Sequence, residues 1–526
     1  MTSRQFLPSV TSLFSILMTM VPTAVCAQGT LADYERADSF DARTRGLVVD
    51  VAEEPHWIGE TSRLWYRKSV EGGNQFVLVD PLALEKRPAF DHARIAASLT
   101  AVRGDTLTAV TLPFASFEFA KDGENIEFTL SDSTWECSLV GYECSNSGPV
   151  PERPGRGGGV GYQAGPGQLW RSQGQEPLRS PNEEWEAFIQ NYNVAVRKVG
   201  QNGYTLLSQD GSEGNAYAHR SMRWSPDSKK LAAYRVIPGY QREIHYVESS
   251  PEDQLQPKHS TLIYAKPGDV LDREQPVLFD VEGKRQIHVD DSLFPNAYSL
   301  SSLQWRKDSQ RLTFEYNQRG HQVYRVIEID AATGAARAVI SEEPETFFDY
   351  SSKNFREDIQ DGEEIIWMSE RDGWNHLYLY DGATGRVKNQ ITRGEWVVRG
   401  VDRVEAENRQ IWFQASGMTP GQDPYFVHTY RINFDGTGLA AYTEADGTHS
   451  VDFSPDREFY VDRWSRVDRP PVAELRRTSD RALVMELEAA DASALLATGW
   501  QYPEVFVAKG RDGVTDIWGI IVRPTD

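Results

Sequence analysis

Scarce cysteine and a deficit of basic residues exclude several classes of protein. The 526 residues contain three cysteines, of which only Cys137 and Cys144 lie beyond the N-terminal segment. Two thiols without a nearby histidine do not supply the four ligands of a structural zinc site, so neither a metal nor another cofactor is expected. The 55 Lys and Arg are outnumbered by 77 Asp and Glu, which gives a net charge of −22. Such a surface repels nucleic acid and anionic lipid, and neither is an expected partner.

Long apolar runs are also missing, so no membrane span is predicted. The first 27 residues carry a single charge, Arg4, and an apolar run over residues 13–21 that is too short to cross a bilayer. Val25-Cys26-Ala27 offers small residues for cleavage. This pattern predicts a signal peptide over residues 1–27, cleavage after Ala27 and export to the periplasm or the medium. A lipoprotein signal through Cys26 is the alternative, but the residues before it lack the usual pattern.

The two remaining cysteines are a candidate disulfide. In an exported protein Cys137 and Cys144 could pair across residues 138–143. Trp135 and Tyr142 flank them and indicate two strands joined by a turn. Two separate buried thiols are the alternative.

A repeated turn is the most abundant pattern in the chain. Each copy has an aromatic residue at a strand end, a turn of Pro, Asp and Ser, and then an alternating strand. The copies lie at 224–234, 305–314 and 453–460, with a looser one at 179–188. A second signature, a strand closed by an Asp/Thr-Gly turn, occurs at 326–334 and 375–385. Strand–turn units that repeat in this way, with few helical stretches, predict an all-β protein built as a β-propeller.

The length of the repeated region sets the number of blades. Residues 55–509 would accommodate eight blades of about 57 residues each, and seven is the alternative. We therefore predict an N-terminal extension over 28–50 and a propeller over 51–509. One amphipathic helix is expected within 82–104, as an insertion on the first blade. A Gly-rich segment at 151–168 lacks the Gly-Lys-Ser/Thr ending of a phosphate loop and is predicted to be a loop between blades.

Four motifs resemble a known family: WSPDSKKLAAYRV (224–236), YAKPGD (264–269), SERDGWNHLYLYD (369–381) and ITRGEWVV (391–398). They are similar to the N-terminal β-propeller of dipeptidyl peptidase IV-type serine peptidases, which belong to the prolyl oligopeptidase family. The resemblance covers about residues 50–525. It implies a two-domain enzyme in which the propeller caps an α/β-hydrolase domain and peptides are cleaved in the cavity between them. Peptide substrates, and a hydrolase domain or subunit, are the implied partners.

The chain departs from the catalytic pattern of that family. DGVTDIWGIIVRP (512–524) looks like the first strand of the hydrolase domain, so residues 510–526 are predicted to be the start of a truncated hydrolase domain. No G-x-S-x-G elbow occurs, and in the nearest candidate, residues 210–214, a glycine directly precedes Ser212. We therefore assign no catalytic residue and expect no hydrolysis from this chain alone.

The substrate-binding pattern of the family is missing as well. Its dipeptidyl peptidases hold the free amino group of the substrate with a Glu pair in a W-x-Y-E-E-E helix, which would lie between Asp210 and Trp224. That segment holds one acid here, Glu213. Glu183 and Glu184 are paired but fall in a blade turn, where we expect them to be solvated. The substrate-binding residues stay unknown from the sequence, as does the oligomeric state.

Two functions follow from these observations. The first is the non-catalytic propeller part of an exported serine peptidase, which gates and positions peptide substrates. The second is a stand-alone periplasmic propeller that binds a peptide or protein. The apolar strand over 514–522 favours the first, because a free-standing protein would normally cover an unpaired apolar edge.

Overall fold

The computed structural model describes residues 29–120, 123–150 and 176–523. The predicted signal peptide and the Gly-rich loop lie outside these residues. Within them, no helix is long and apolar enough to cross a membrane. The helices are α1 (Leu31–Asp38), α2 (Phe40–Thr44), α3 (His92–Arg103) and α4 (Ser493–Leu496), with short 3-10 turns at His219–Ser221 and Gln360–Gly362.

The first four sheets come from residues 56–287. Their strands are, in sheet 1, β1 (His56–Trp57), β2 (Leu64–Val70), β3 (Gly73–Asp80) and β4 (Glu85–Pro88); in sheet 2, β5 (Glu118–Phe119), β6 (Asn125–Leu130), β7 (Ser133–Ser138) and β8 (Cys144–Pro149); in sheet 3, β9 (Leu178–Arg179), β10 (Trp185–Gln190), β11 (Asn193–Lys198) and β12 (Thr205–Leu206); in sheet 4, β13 (Ala216–Tyr217), β14 (Arg223–Trp224), β15 (Lys230–Ile237), then β18 (Arg273–Asp280) and β19 (Arg285–Ile287) after an inserted hairpin of β16 (Glu243–Glu248) and β17 (Lys258–Ile263).

Four further sheets and a final hairpin complete the described strands. They are, in sheet 5, β20 (Ala297–Leu300), β21 (Gln304–Trp305), β22 (Arg311–Gln318), β23 (Tyr324–Asp330) and β24 (Ala336–Glu342); in sheet 6, β25 (Arg356–Ile359), β26 (Glu364–Ser369), β27 (His376–Asp381) and β28 (Arg386–Gln390); in sheet 7, β29 (Val397–Glu405), β30 (Gln410–Ser416), β31 (Val427–Asn433) and β32 (Ala440–Ala441); in sheet 8, β33 (Thr448–Phe453), β34 (Phe459–Arg466), β35 (Arg469–Arg477) and β36 (Leu483–Ala489); and in the hairpin, β37 (Glu504–Lys509) and β38 (Asp516–Ile521).

Each of the eight sheets is an antiparallel meander, and apolar clusters join most pairs of neighbouring sheets. One apolar cluster joins sheets 4 and 5, and another joins sheets 6 and 7. The first and last sheets also share a core, in which Leu64 and Val79 meet Val461 and Leu475. Sequential meanders whose last member packs against the first form a β-propeller. The prediction of an all-β propeller is confirmed.

Hydrogen bonds of its serine and aspartate hold the repeated turn in shape. Ser225 Oγ donates to Asp227 Oδ1 (2.6 Å) and accepts the Lys230 N–H (2.9 Å). The fourth turn residue, Ser228, has φ +62°, a left-handed conformation that tight reversals require. The Asp227 N–H donates to Ser309 Oγ in the equivalent turn of sheet 5 (3.0 Å). The motif therefore both reverses the chain and ties neighbouring sheets together.

The helix expected within 82–104 is α3. The Asp91 carboxylate caps its first turn and Gly104 ends it with φ +81°. Its buried face, Ile95 and Leu99, packs into the core shared by sheets 1 and 2. In sheet 2, Cys137 and Cys144 are cross-strand neighbours and form a disulfide, with a Cα–Cα distance of 4.1 Å.

The final apolar strand pairs with a strand that the sequence assigned to the propeller. β37 and β38 form one hairpin, turned at Asp512-Gly513, where Gly513 has φ +72°. The predicted domain boundary at 509/510 thus falls inside that hairpin. Its apolar side chains are exposed, among them Val507 (47%), Val514 (77%) and Ile520 (52%).

Candidate functional site

A cleft of about 470 Å³ separates the beginning of β18 from the beginning of β20. Asp272 and Glu274 lie on the sheet 4 side of the cleft, and Asp291 and Arg319 on the sheet 5 side. The cleft opens at the end of the two sheets where β18 and β20 begin, beside the inserted hairpin β16–β17. Three carboxyl groups in one cleft give it an acidic character.

Glu274 is the most perturbed group in the cleft. Burial and, to a smaller extent, the charge of Asp272 raise its pKa to about 7. A hydrogen bond from the Leu300 N–H acts in the opposite direction and lowers the pKa. Its place in β18, opposite Val236 of β15, turns the carboxyl toward the first strand of sheet 5. A titratable group poised near neutrality in a cleft is typical of binding and catalytic sites.

The arginines around the cleft already have partners. Arg242 binds Asp269 through two hydrogen bonds (2.7 and 2.5 Å), and these bonds hold the pKa of Asp269 well below its usual range. Arg319 donates to the main-chain oxygen of Asp269 (2.7 Å). Arg273 is 3.9 Å from Asp291, at the edge of an ion pair. None of these pairs involves Glu274, whose carboxyl can therefore pair with a cationic ligand.

An aromatic cluster of sheet 5 follows two residues of the cleft wall in sequence, Asn296 and Arg319, and lies outside the lining itself. The His321 ring stacks on Tyr350 (centroids 4.5 Å apart) and meets Tyr298 edge-on (4.7 Å). Phe347 lies 5.7 Å from His321 and is 49% exposed. The Arg319 N–H donates to the Asn296 carbonyl (3.0 Å), which joins this turn to the wall of the cleft. Aromatic faces beside a carboxyl group can bind a peptide with a free amino group.

The segment expected to hold a Glu pair is built differently. Glu213 is exposed, and Ser212 pairs with Asn215 in a small turn, not in a nucleophile elbow. Asp210 accepts a hydrogen bond from Tyr217 Oη (2.9 Å) and forms an ion pair with Arg235. No carboxylate pair lines residues 211–223.

The other residues considered from the sequence do not gather at the cleft. Glu183 and Glu184 are exposed in the turn of sheet 3, and Glu184 pairs with Lys198 (2.9 Å). Cys137 and Cys144 belong to sheet 2. In residues 29–120, 123–150 and 176–523, no group of three or more His, Cys, Asp or Glu side chains is arranged to hold a metal ion. Sequence reasoning missed Glu274, whose one signal is an acid directly before the buried run of its strand.

The fold is a β-propeller with an open cleft between two of its sheets. The family model of the dipeptidyl peptidase IV (DPP IV) N-terminal region matches residues 165–471, more than half of the chain. The chain therefore belongs to this family, as its motifs had indicated.

Individual relatives agree with this assignment. The "Probable dipeptidyl-aminopeptidase B" of Aspergillus oryzae is 23% identical over 322 residues, which cover 53% of this chain and 34% of that protein. A "Putative dipeptidyl aminopeptidase" of Schizosaccharomyces pombe is 24% identical over 59% of this chain and 42% of its own. The chain thus matches about a third to two fifths of these relatives. A "putative dipeptidyl aminopeptidase IV" structure from Bacteroides ovatus superposes with TM-score 0.50 and 16% identity, covering 90% of this chain and 65% of that one.

Proposed function

We propose that this chain is the non-catalytic propeller part of an exported serine peptidase of the dipeptidyl and prolyl oligopeptidase type, and that it gates and positions peptide substrates. Its membership of the DPP IV N-terminal region family carries the proposal. The acidic cleft with its aromatic border supports it, because a propeller that positions peptides needs groups that bind them.

The cleft suits the amino terminus of a peptide. An α-amino group ordinarily has a pKa near 8 and is cationic at neutral pH. Ionised Glu274 would accept a charge-assisted hydrogen bond from it, and the ammonium would in turn lower the pKa of Glu274. The faces of Tyr350 and Phe347 would contact the following side chains. Affinity should therefore rise between pH 6 and pH 7.5, as Glu274 ionises.

The purified chain is expected to bind peptides without cleaving them. Dipeptidyl p-nitroanilides should show no release above background, since no nucleophile elbow occurs in the sequence. A fluorescent peptide with a free amino terminus should bind at least tenfold more tightly than its acetylated form, and Glu274→Gln should abolish that preference. Glu213→Gln, at an exposed glutamate, is the matched control. Hydrolysis that a serine-directed inhibitor abolishes would refute the non-catalytic assignment, and equal binding of both peptides would refute the role of the cleft.

We further propose that the chain is exported. The disulfide between Cys137 and Cys144 supports this, because such bonds persist in oxidising compartments and are rare in the cytosol. The mature protein is expected to begin at Gln28. Intact-mass measurement of protein from the periplasm or medium checks this, and recovery of full-length protein from the cytosol with both thiols reduced contradicts it.

A further inference from the structure

The inserted hairpin β16–β17 stands apart from the propeller sheets. Its two strands pair only with each other, and both faces are exposed, as Tyr246 (54%) on one face and Val247 (60%) on the other show. The Arg242–Asp269 pair fastens its base. A two-stranded hairpin with both faces in water is only marginally stable, so an added cross-strand link would change its order measurably.

Two histidines meet across this hairpin. In the strand register Val247 is opposite His259 and His245 is opposite Thr261, so the two histidines are diagonal neighbours on one face. The Nδ1 atom of His245 lies 3.2 Å from the Nε2 atom of His259, and the rings are within 17° of parallel. Both side chains are exposed to solvent.

This nitrogen separation matches that of two ligands on one metal ion. At a Zn–N distance of about 2.05 Å and a tetrahedral angle, two ligand nitrogens are about 3.3 Å apart. A square-planar Cu²⁺ site brings neighbouring nitrogens to about 2.9 Å. A hydrogen bond between two imidazoles uses a single shared proton. A divalent ion can bind both of these nitrogens once the donor ring changes tautomer, which moves the shared proton to the outer nitrogen of that ring.

We propose that His245 and His259 form a two-histidine site for a divalent transition metal on the exposed hairpin, with Cu²⁺ bound more tightly than Zn²⁺. The preference follows from imidazole ligands and from the general order of affinities for divalent ions. The remaining coordination positions are taken by water, since the hairpin contributes no third ligand of suitable geometry. This site is independent of the peptide cleft. It would cross-link the strands and rigidify the hairpin.

Copper titration of the full chain tests the site. The wild-type chain is expected to bind one Cu²⁺ whose electron paramagnetic resonance spectrum shows coupling to two nitrogens. His259→Gln keeps a hydrogen-bond partner for His245 but removes an imidazole ligand, and should weaken binding at least tenfold, as should His245→Ala. His288→Ala, at another exposed histidine, is the matched control and should leave the affinity unchanged. Binding should weaken at pH 5, because protons compete for the ligand nitrogens.

Amide hydrogen exchange distinguishes a metal site from a plain hydrogen bond between the two histidines, because only a metal site responds to added Zn²⁺. Zn²⁺ should slow amide exchange over residues 243–263 in the wild-type chain and leave it unchanged in the His245→Ala/His259→Ala double variant. Copper affinity in the double variant equal to that of the wild type would overturn the proposal, and so would Zn²⁺-independent exchange in the wild-type hairpin.

Discussion

Replacing Asp462 with alanine is expected to lower the free energy of unfolding by about 3–5 kcal/mol, because it removes one partner of the fully buried pair His449–Asp462. His449 Nδ1 lies 2.8 Å from Asp462 Oδ1, and its Nε2 lies 2.8 Å from the Ala445 carbonyl oxygen. Both ring nitrogens therefore depend on partners inside the protein. The two side chains are 0% and 1% exposed, and water cannot take over the role of the carboxylate.

The neighbouring His428 makes the loss more severe. Its ring centre is 4.8 Å from that of His449. Burial, and then the charge of His449, lower the pKa of His428 to about 4. His428 therefore stays neutral and does not replace the lost partner of His449. Since this folded-state pKa lies below the ordinary 6.5, the unfolded chain binds more protons, and His428 reduces stability as the pH falls from 6.5 toward 4.

Urea unfolding followed by circular dichroism measures the effect. The His449→Phe/Asp462→Leu double variant should recover most of the loss, because apolar pairs of similar volume often replace a buried ion pair without penalty. Glu370→Ala is the matched control. Glu370 is 39% exposed and pairs with Lys353 at 2.7 Å, so its loss should lower the free energy of unfolding by less than about 1 kcal/mol. An Asp462→Ala variant as stable as the Glu370→Ala variant would show that the buried pair does not contribute this stability.

The sequence predicted those features whose chemistry is local. The Ser-Pro-Asp turns were found because Ser225, Asp227 and Lys230 satisfy one another within six residues. The helix within 82–104 was found because Asp91 and Gly104 mark its ends. The apolar strand within 514–522 was expected, but its partner strand β37 was assigned to the propeller, since pairing across the Asp512-Gly513 turn is not visible in composition.

The candidate site depends on contacts between sheets, and these escaped the sequence. Glu274 reads as an ordinary polar residue at the beginning of a strand. It becomes unusual only because the packing of the folded chain buries its carboxyl group. His449 and Asp462 likewise sit in neighbouring strands of sheet 8 and reveal their pairing only once both are buried. Patterns of period two fix which face a residue occupies, not which partner it meets there.

The pH dependence of stability should identify Glu274 as the perturbed group. Its pKa of about 7 in the folded chain compares with an ordinary value of 4.5. Between these values the folded chain binds more protons than the unfolded chain, so stability falls as the pH rises through this window. The loss amounts to up to about 3 kcal/mol, and it is complete above pH 7.

Glu274→Gln keeps the shape of the side chain and stays neutral at every pH. The variant should match the wild type at pH 4.5, where Glu274 is protonated, and should be more stable by up to about 3 kcal/mol at pH 8, as urea unfolding at both values would show. Glu213→Gln should give the same difference from the wild type at both values. The gain in stability would coincide with the loss of preference for free amino termini, because the carboxylate that destabilises the empty cleft is the group that would bind the ammonium. If the difference in stability between Glu274→Gln and the wild type were the same at pH 4.5 and pH 8, this carboxyl would titrate normally. That result would contradict the proposal that the cleft binds an amine ligand.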